Sequence, residues 1–128
     1  MRMNVVFVAT LVWAAPLAAQ QADSLPPGVT AATIADGKKI FAGPGLCSAF
    51  HRPAAKGVQG LGANLTDKEW LHSDGSYEAL VAQITAGVPA GKSSTGVPMP
   101  AKGGASLSEA QVRTVAAYVW SLSHAAAR

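Results

Sequence analysis

The chain has 128 residues, which is enough for a single domain with its own core. Its formal net charge is +3 and it has no basic run interleaved with aromatic residues, so the composition argues against nucleic acid as a partner. The single cysteine, Cys47, excludes an internal disulfide and leaves a thiol that is either free or bound to another group.

Residues 1–19 have the pattern of a secretory signal peptide. Arg2 supplies a positive charge, residues 5–15 are almost wholly apolar, and small residues end at Ala19 before a polar pair. We expect cleavage after Ala19. Because the apolar run is too short for a comfortable membrane span, we expect no span after processing, and an uncleaved N-terminal anchor is the alternative.

The remaining sequence divides into three parts. Residues 20–32, which contain Pro26-Pro27-Gly28, predict an extended leader without periodicity. Residues 33–124 predict one all-α domain, and residues 125–128 form a C-terminal tail. No β-strand pattern of any length and no internal repeat is present in the sequence.

The first predicted helix begins at Thr33, which we assign as its N-cap, with Asp36 in the first turn. It runs to Phe41, before a Gly-Pro-Gly segment that ends it. Gly37 lies in the middle of this helix, where glycine lowers stability by about 0.5–1 kcal/mol relative to alanine. We therefore expect another helix to cross closely at Gly37.

The next segment, Cys47-Ser48-Ala49-Phe50-His51, resembles the C-x-x-C-H signature that attaches a c-type haem. In that signature two thiols add to the haem vinyl groups, and the histidine binds the iron. Here Cys47 and His51 match, but Phe50 stands at the second cysteine's position, and a phenyl ring cannot form a thioether. Taken alone, a cysteine and a histidine four residues apart also occur as a buried thiol and a surface imidazole.

Two helical patterns follow in the middle of the chain. Thr66 is expected to cap a brief helix over residues 67–71. Ser76 is expected to cap a longer helix, with Gly87 at its end. Residues 91–100 are rich in proline and glycine and predict a loop without helix or strand.

Inside that loop, prolines flank Met99 on both sides and stiffen the backbone. A methionine is usually a flexible residue that fills gaps in a core, and that interpretation stays open for Met99. A thioether held rigidly toward a metal accounts better for two flanking prolines. The last helix is expected to begin at Ser106 or Ser108, with Glu109 in its first turn.

Taken together, residues 33–123 resemble a class I cytochrome c. Gly62-Ala63-Asn64-Leu65 stands where that family has a Gly-Pro-Asn-Leu turn, and Met99 lies 48 residues after His51 in a Met-Pro context. The final helix contains Tyr118, in the region that crosses the first helix in that family. Within the family, the sequence from Asn64 to Trp70 is similar to the small cytochrome domains attached to bacterial terminal oxidases and dehydrogenases.

This resemblance implies a fold of three to five short helices around one haem c. It implies that Cys47 is the remaining covalent attachment, that His51 is the proximal iron ligand and that Met99 is the distal ligand. It further implies that the carbonyl of Ala63 accepts a hydrogen bond from the other ring nitrogen of His51. Trp70 is implied as a hydrogen-bond donor to a haem propionate.

The function implied by the resemblance is that of a periplasmic electron carrier rather than an enzyme. Its partners would be redox proteins such as a dehydrogenase, a terminal oxidase or another cytochrome. Four basic residues flank the motif and either steer an acidic partner or are ordinary solvated side chains: Lys38, Lys39, Arg52 and Lys56.

Two other functions stay open because of Phe50. The first is a degenerate module of the same fold that binds haem weakly or not at all and acts in protein–protein contact. The second is an enzyme or gas sensor in which Met99 is only loosely bound. The absorption spectrum of the reduced protein separates the carrier from the degenerate module.

Overall fold

Four α-helices and two 3₁₀ turns make up the computed structural model, which describes residues 24–124. The helices are α1 (Ala31–Ala42), α2 (Cys47–His51), α3 (Tyr77–Ala86) and α4 (Glu109–Ser121); the turns are Ala90–Lys92 and Ala101–Gly104. No strand is present in that part of the chain, which confirms the all-α prediction. The predicted signal peptide, the start of the leader and the tail lie outside the described residues. Between residues 24 and 124, no helix is both long and apolar enough to cross a membrane.

The crossing of α1 and α4 is the main helix contact of the fold, and it confirms the prediction made from Gly37. A Cβ atom at position 37 would collide with the backbone carbonyl of Thr114 and lie 2.8 Å from the Cβ of Tyr118. Next to this point, the rings of Phe41 and Tyr118 meet edge to face, with their centroids 5.2 Å apart. Glycine is therefore required at position 37 because the two helix backbones approach too closely for any side chain.

Helix α3 packs on the other side of α4 and completes the core. The hydroxyl of Tyr77 donates to the carbonyl oxygen of Arg113 at 3.0 Å, and the Arg113 guanidinium binds the Glu78 carboxylate. The residues that these three helices bury include Phe41, Leu80, Ile84, Val112, Val115, Ala116 and Val119. The predicted N-cap residues Ser76 and Ser108 are confirmed, since each side chain accepts a hydrogen bond from the backbone N–H three residues later.

The predicted start of the first helix was wrong. Helix α1 begins at Ala31, and its N-cap is Thr30, which forms a reciprocal pair of hydrogen bonds with Thr33. Both threonines can cap a helix. With a spacing of three residues, Thr30 accepts from the backbone N–H of Thr33, and the Thr33 side chain accepts in return from the backbone N–H of Thr30, which is a capping box. Asp36 consequently lies beyond the first turn, where it pairs with Lys39 at 2.8 Å.

The brief helix predicted over residues 67–71 is also wrong, because that segment is irregular. The side-chain oxygen of Asn64 accepts from the backbone N–H of Thr66 at 2.9 Å, and that of Asp67 accepts from the N–H of Glu69 at 3.1 Å. These local turns use backbone N–H groups that a helix would need, so side chains compete successfully with helix formation here.

The loop predicted over residues 91–100 has more structure than expected. The 3₁₀ turn Ala90–Lys92 extends into its start. Near its end, Met99 and Val88 form an isolated antiparallel bridge, in which each backbone N–H donates to the other's carbonyl, at 2.8 and 2.9 Å. The segment therefore returns to the end of α3 and is fixed there.

Candidate functional site

Helix α2 presents the residues of the sequence motif on one side. Cys47, Phe50 and His51 are spaced by three and four residues, which brings them to one face of a helix. The backbone on both sides is unusual, because Leu46 and Arg52 have φ angles of 57° and 66°. Positive φ is unfavourable for residues other than glycine and is found preferentially at functional sites. The short helix α2 is therefore bounded by strained backbone at each end.

The orientation of His51 is fixed by a backbone carbonyl. Its Nδ1 lies 2.8 Å from the carbonyl oxygen of Ala63, so Nδ1 carries the proton and Nε2 keeps a free lone pair. Burial lowers the pKa of His51 below its usual value, while the Ala63 carbonyl acts in the opposite direction. Gly62 lets the two segments meet, since a Cβ there would collide with the Phe50 carbonyl. Burial thus favours the neutral imidazole, and the Ala63 carbonyl orients the ring as a metal ligand requires.

The Cys47 thiol is half-buried and unpaired in the described part of the chain. Its Sγ donates a hydrogen bond to the Gly45 carbonyl at 3.4 Å. Burial raises the pKa of this thiol above its usual value, with a smaller lowering from the backbone N–H of Cys47 itself. A cysteine used as a nucleophile or redox sensor needs a lowered pKa, so the environment of Cys47 does not favour those roles.

Met99 reaches the same region from a distant part of the chain. It is half-buried, its backbone is bridged to Val88, and its side chain packs against the core. Together with Cys47, Phe50, His51 and Ala63 it lines one cleft. The structure therefore brings together four of the five predicted site residues, and Phe50 lies in the same cleft.

The cavity within the cleft has a volume of about 100 Å³. Its wall is largely apolar and comes from α1, α3, α4 and the loops, including Phe41, Leu61, Leu65, Leu80, Ile84, Val88, Val97 and Val119. An oriented imidazole, a thioether and one thiol line this apolar cleft, so the residues present fit a haem held by protein ligands and a single covalent bond. No cluster of three or more histidine, cysteine or acidic residues suited to a bare metal ion occurs between residues 24 and 124.

The fifth predicted residue, Trp70, is half-buried against the core but is not among the residues that line the cleft. Its indole lies against Gly75, and its role toward a propionate stays a prediction. Of the four basic residues beside the motif, Lys39 pairs with Asp36, and Lys56 donates to the hydroxyl of Thr66 at 3.0 Å. Lys38 and Arg52 are exposed.

His72 and Gln83 are among the polar residues of the cleft that were not predicted as site residues. His72 is exposed and also lines the cleft. Gln83 lines the cleft from α3, and its Oε1 is fully buried with no hydrogen-bond partner in the structure. A signal for Gln83 was present in the sequence, because it follows Leu80 by three residues and precedes Ile84 on the apolar stripe of α3.

Comparison with known proteins gives two results. The family model described as cytochrome c oxidase, cbb3-type, subunit III matches residues 32–119. The cbb3-type cytochrome c oxidase subunit CcoP of Rubrivivax gelatinosus is 41% identical over 90 residues, which are 68% of this chain and 25% of that protein. The chain thus spans about a quarter of the length of this curated relative.

Proposed function

Because the chain belongs to the cbb3-type cytochrome c oxidase subunit III family, a family of c-type cytochromes, we propose that it carries electrons with one haem c in the cleft. The observation that carries this proposal is the convergence of Cys47, His51 and Met99 in one apolar cleft, with the His51 ring held by Ala63. When bound, the haem supplies an iron centre that exchanges one electron.

The residues of the cleft would divide the work of holding and tuning this group. Nε2 of His51 and the sulfur of Met99 would both bind the iron, and two protein ligands favour a carrier over an enzyme that binds its substrate at the metal. A thioether stabilises ferrous relative to ferric iron and so raises the reduction potential. The apolar wall excludes water, which also disfavours the more highly charged state of the iron.

Covalent attachment would be through Cys47 alone. Phe50 lies one helical turn after Cys47 and lines the same cleft, at the place that the second thiol has in the family signature. One covalent bond already keeps a cofactor at high local concentration, so a second is not required for retention.

The first experiment is a haem stain after denaturing electrophoresis, combined with the absorption spectrum of the reduced protein. The unaltered protein should keep haem on the gel, and its α-band should lie at a longer wavelength than that of a haem with two thioethers. Cys47→Ala should lose the stain. Ser48→Ala, the change next to it, should retain it. A protein matured in a haem-replete host that shows no Soret band would instead support the degenerate module.

The proposal extends to where the protein acts and with what. Export through the signal peptide of residues 1–19 would place the domain in the periplasm, and mass spectrometry of the mature protein tests cleavage after Ala19. A terminal oxidase is the favoured partner class, because the curated relative is an oxidase subunit; a dehydrogenase or another cytochrome remains in the proposal as well. Steering of an acidic partner by Lys38 and Arg52 predicts a rate of electron transfer that falls with ionic strength.

A further inference from the structure

A second concave surface adjoins the cleft, and the proposed function leaves it without a role. This second depression has a volume of about 520 Å³ and is lined by residues from three segments, 56–64, 67–71 and 94–95. It is continuous with the cleft, because four residues line both spaces: Gly62, Ala63, Ser94 and Thr95. A molecule bound in the second depression would therefore lie directly beside the cleft.

The wall shared by the two spaces leads to His51. Ala63 lines the second depression, and its carbonyl receives the hydrogen bond from Nδ1 of His51 at 2.8 Å. The backbone around Ala63 is closely packed, since Val58 and Gly62 form an antiparallel bridge and a Cβ at Gly57 would lie 2.6 Å from the Ala63 carbonyl carbon. Electron transfer weakens steeply with distance and proceeds best through bonded and hydrogen-bonded atoms. A partner seated in the second depression thus has a short route to the iron through Ala63 and His51.

The charges of the second depression favour a cationic occupant. Asp67 and Glu69 both line it and are exposed, and neither belongs to an ion pair found between residues 24 and 124. Lys56 lines it as well, but its ammonium donates to the Thr66 hydroxyl at 3.0 Å. Two carboxylates and one ammonium leave a net negative charge on this surface, which attracts cations at low ionic strength.

An exposed apolar side chain stands beside these carboxylates. Leu71 is 56% exposed and lines the second depression together with the half-buried Val58. Exposed apolar surface rimmed by polar residues is typical of interaction sites. Lys38 and Arg52, the exposed basic residues assigned to an acidic partner, do not line the second depression. The molecule therefore has two faces of different charge, which suits a carrier that receives an electron from one protein and delivers it to another.

We propose that the second depression is a docking site for a redox partner that presents a basic side chain next to an apolar one, and that the electron passes between that partner and the iron through Ala63 and His51. The inference rests on the proposed function, because it presupposes a haem bound by His51. The step is an exchange of one electron: one metal centre is oxidised as the other is reduced, and no bond forms or breaks. Such encounters are transient, and their interfaces are small.

The test is stopped-flow oxidation of the ferrous holoprotein by two one-electron oxidants. Tris(phenanthroline)cobalt(III) is a cation with an apolar surface, and hexacyanoferrate(III) is an anion. At about 0.01 M ionic strength the Debye length is about 30 Å, so surface charge acts on both reagents. Asp67→Asn and Glu69→Gln, each alone, should lower the ratio of the cobalt rate constant to the hexacyanoferrate rate constant at least about twofold. Using the ratio largely cancels a change in reduction potential, which affects both reactions alike.

The variants leave the local turn intact and have matched controls. Asparagine at position 67 keeps the side-chain oxygen that accepts from the Glu69 N–H. Glu109→Gln removes the same charge from an exposed residue of α4 that does not line the second depression, and it should change the ratio less than either variant. Leu71→Ser should lower the cobalt rate without changing its dependence on ionic strength. Leu25→Ser, at an exposed leucine outside the second depression, should leave that rate unchanged.

The two proposals fail in different ways. A protein without haem would overturn the proposed function and the docking site together. If haem is present and is reversibly reduced, but Asp67→Asn and Glu69→Gln change the ratio no more than Glu109→Gln does, only the docking site is overturned.

Discussion

At the crossing of α1 and α4, side chains of the protein pack on one another until almost nothing is exposed, whereas the cleft is walled largely by irregular backbone and half-buried side chains. At the crossing, Phe41 is 1% exposed and Val112 and Val115 are 0% exposed. At the cleft, Cys47, His51 and Met99 are all partly exposed, although each has its backbone fixed. The first region is filled by the protein's own side chains, whereas the second leaves a cleft open, where we propose that the haem binds.

Backbone strain follows the same division. The described non-glycine residues with positive φ are Leu46, Arg52, Ala55 and Lys102. Two of them flank α2, one comes four residues after His51, and one comes three residues after Met99. Each of these residues costs on the order of 1–3 kcal/mol of stability, which the packing of α1, α3 and α4 must offset. Substitutions where α1, α3 and α4 pack should therefore change the stability of the fold. Substitutions in the cleft should change the absorption spectrum and the reduction potential.

The largest effect is expected from Gly37→Val. A branched side chain there meets the Thr114 carbonyl and the Tyr118 Cβ, and neither can move without separating α1 from α4. Overpacking typically costs about 1–3 kcal/mol, and contact with backbone places this site at the upper end or beyond. Denaturant unfolding measures the loss.

Gly91→Val is the matched control for this change. A Cβ at position 91 meets nothing within 4 Å, so the effect should stay within about 0.5 kcal/mol. Equal stability of the two variants would show that the crossing is not as close as described.

The sequence was sufficient to predict the packed helices because the signals that determine them are local. Periodic apolar residues and the serine caps at Ser76 and Ser108 depend only on neighbours within one or two turns. Prediction failed where two local signals competed. Thr30 and Thr33 are equally suited to cap a helix, and the Asn64 and Asp67 side chains took backbone N–H groups that a helix would have used.

The second prediction moves to the cleft. Met99→Ala should open the distal position without unfolding the domain, because the Val88 bridge is made by backbone and survives the change. We expect a stability loss below about 2 kcal/mol, under the range for fully buried methionines. Carbon monoxide should bind the reduced variant and not the unaltered protein.

His72 lines the same cleft and is the residue able to replace Met99 on the iron. The double variant Met99→Ala/His72→Ala therefore serves as the control for a substituted ligand. His124 is less suited to that role, since it is not among the residues that line the cleft and its ring stacks on the Trp120 indole. Carbon monoxide binding to the unaltered protein as readily as to the variant would remove Met99 from the ligand set.

The cleft could be predicted only in part. The motif and the Met-Pro segment name Cys47, His51 and Met99, since their chemistry is visible in the residue types. The bridge between Val88 and Met99 and the inward position of Gln83 depend on how a loop returns across the fold. The apolar stripe of α3 could have marked Gln83, but no periodicity records the long-range arrangement that brings α3 and the Met99 segment to one cleft.

A third prediction concerns the missing thiol. Phe50→Cys should add a second thioether and shift the reduced α-band to a shorter wavelength. A stability gain of about 1 kcal/mol would raise Tm by about 4–8 °C in a domain of this size, and we expect a rise of that order. Ala49→Cys is the control, because position 49 is exposed and is not among the residues that line the cleft. If Phe50→Cys changes neither haem content nor spectrum, Phe50 is not beside a vinyl group.

The smallest effect is expected at the surface between α3 and α4, where Glu78 of α3 and Arg113 of α4 form an exposed ion pair. Hydrogen bonding from Arg113 lowers the pKa of the Glu78 carboxyl below its usual value. A lowered folded-state pKa stabilises the fold above the unfolded pKa, and this contribution disappears as the pH falls through the folded value. Glu78→Gln should therefore be slightly less stable than the unaltered protein near pH 7, and the difference should vanish in acid.

Glu69→Gln provides the comparison for this last change, because Glu69 is exposed and forms none of the ion pairs found between residues 24 and 124. The difference in stability between Glu69→Gln and the unaltered protein should not disappear in acid in the way expected for Glu78→Gln. Added salt should reduce the Glu78 effect, since exposed pairs are screened. The absorption spectrum should not change, because neither Glu78 nor Arg113 lines the cleft. A difference at Glu78 that is independent of pH would mean that the carboxylate acts through packing rather than through its charge on Arg113.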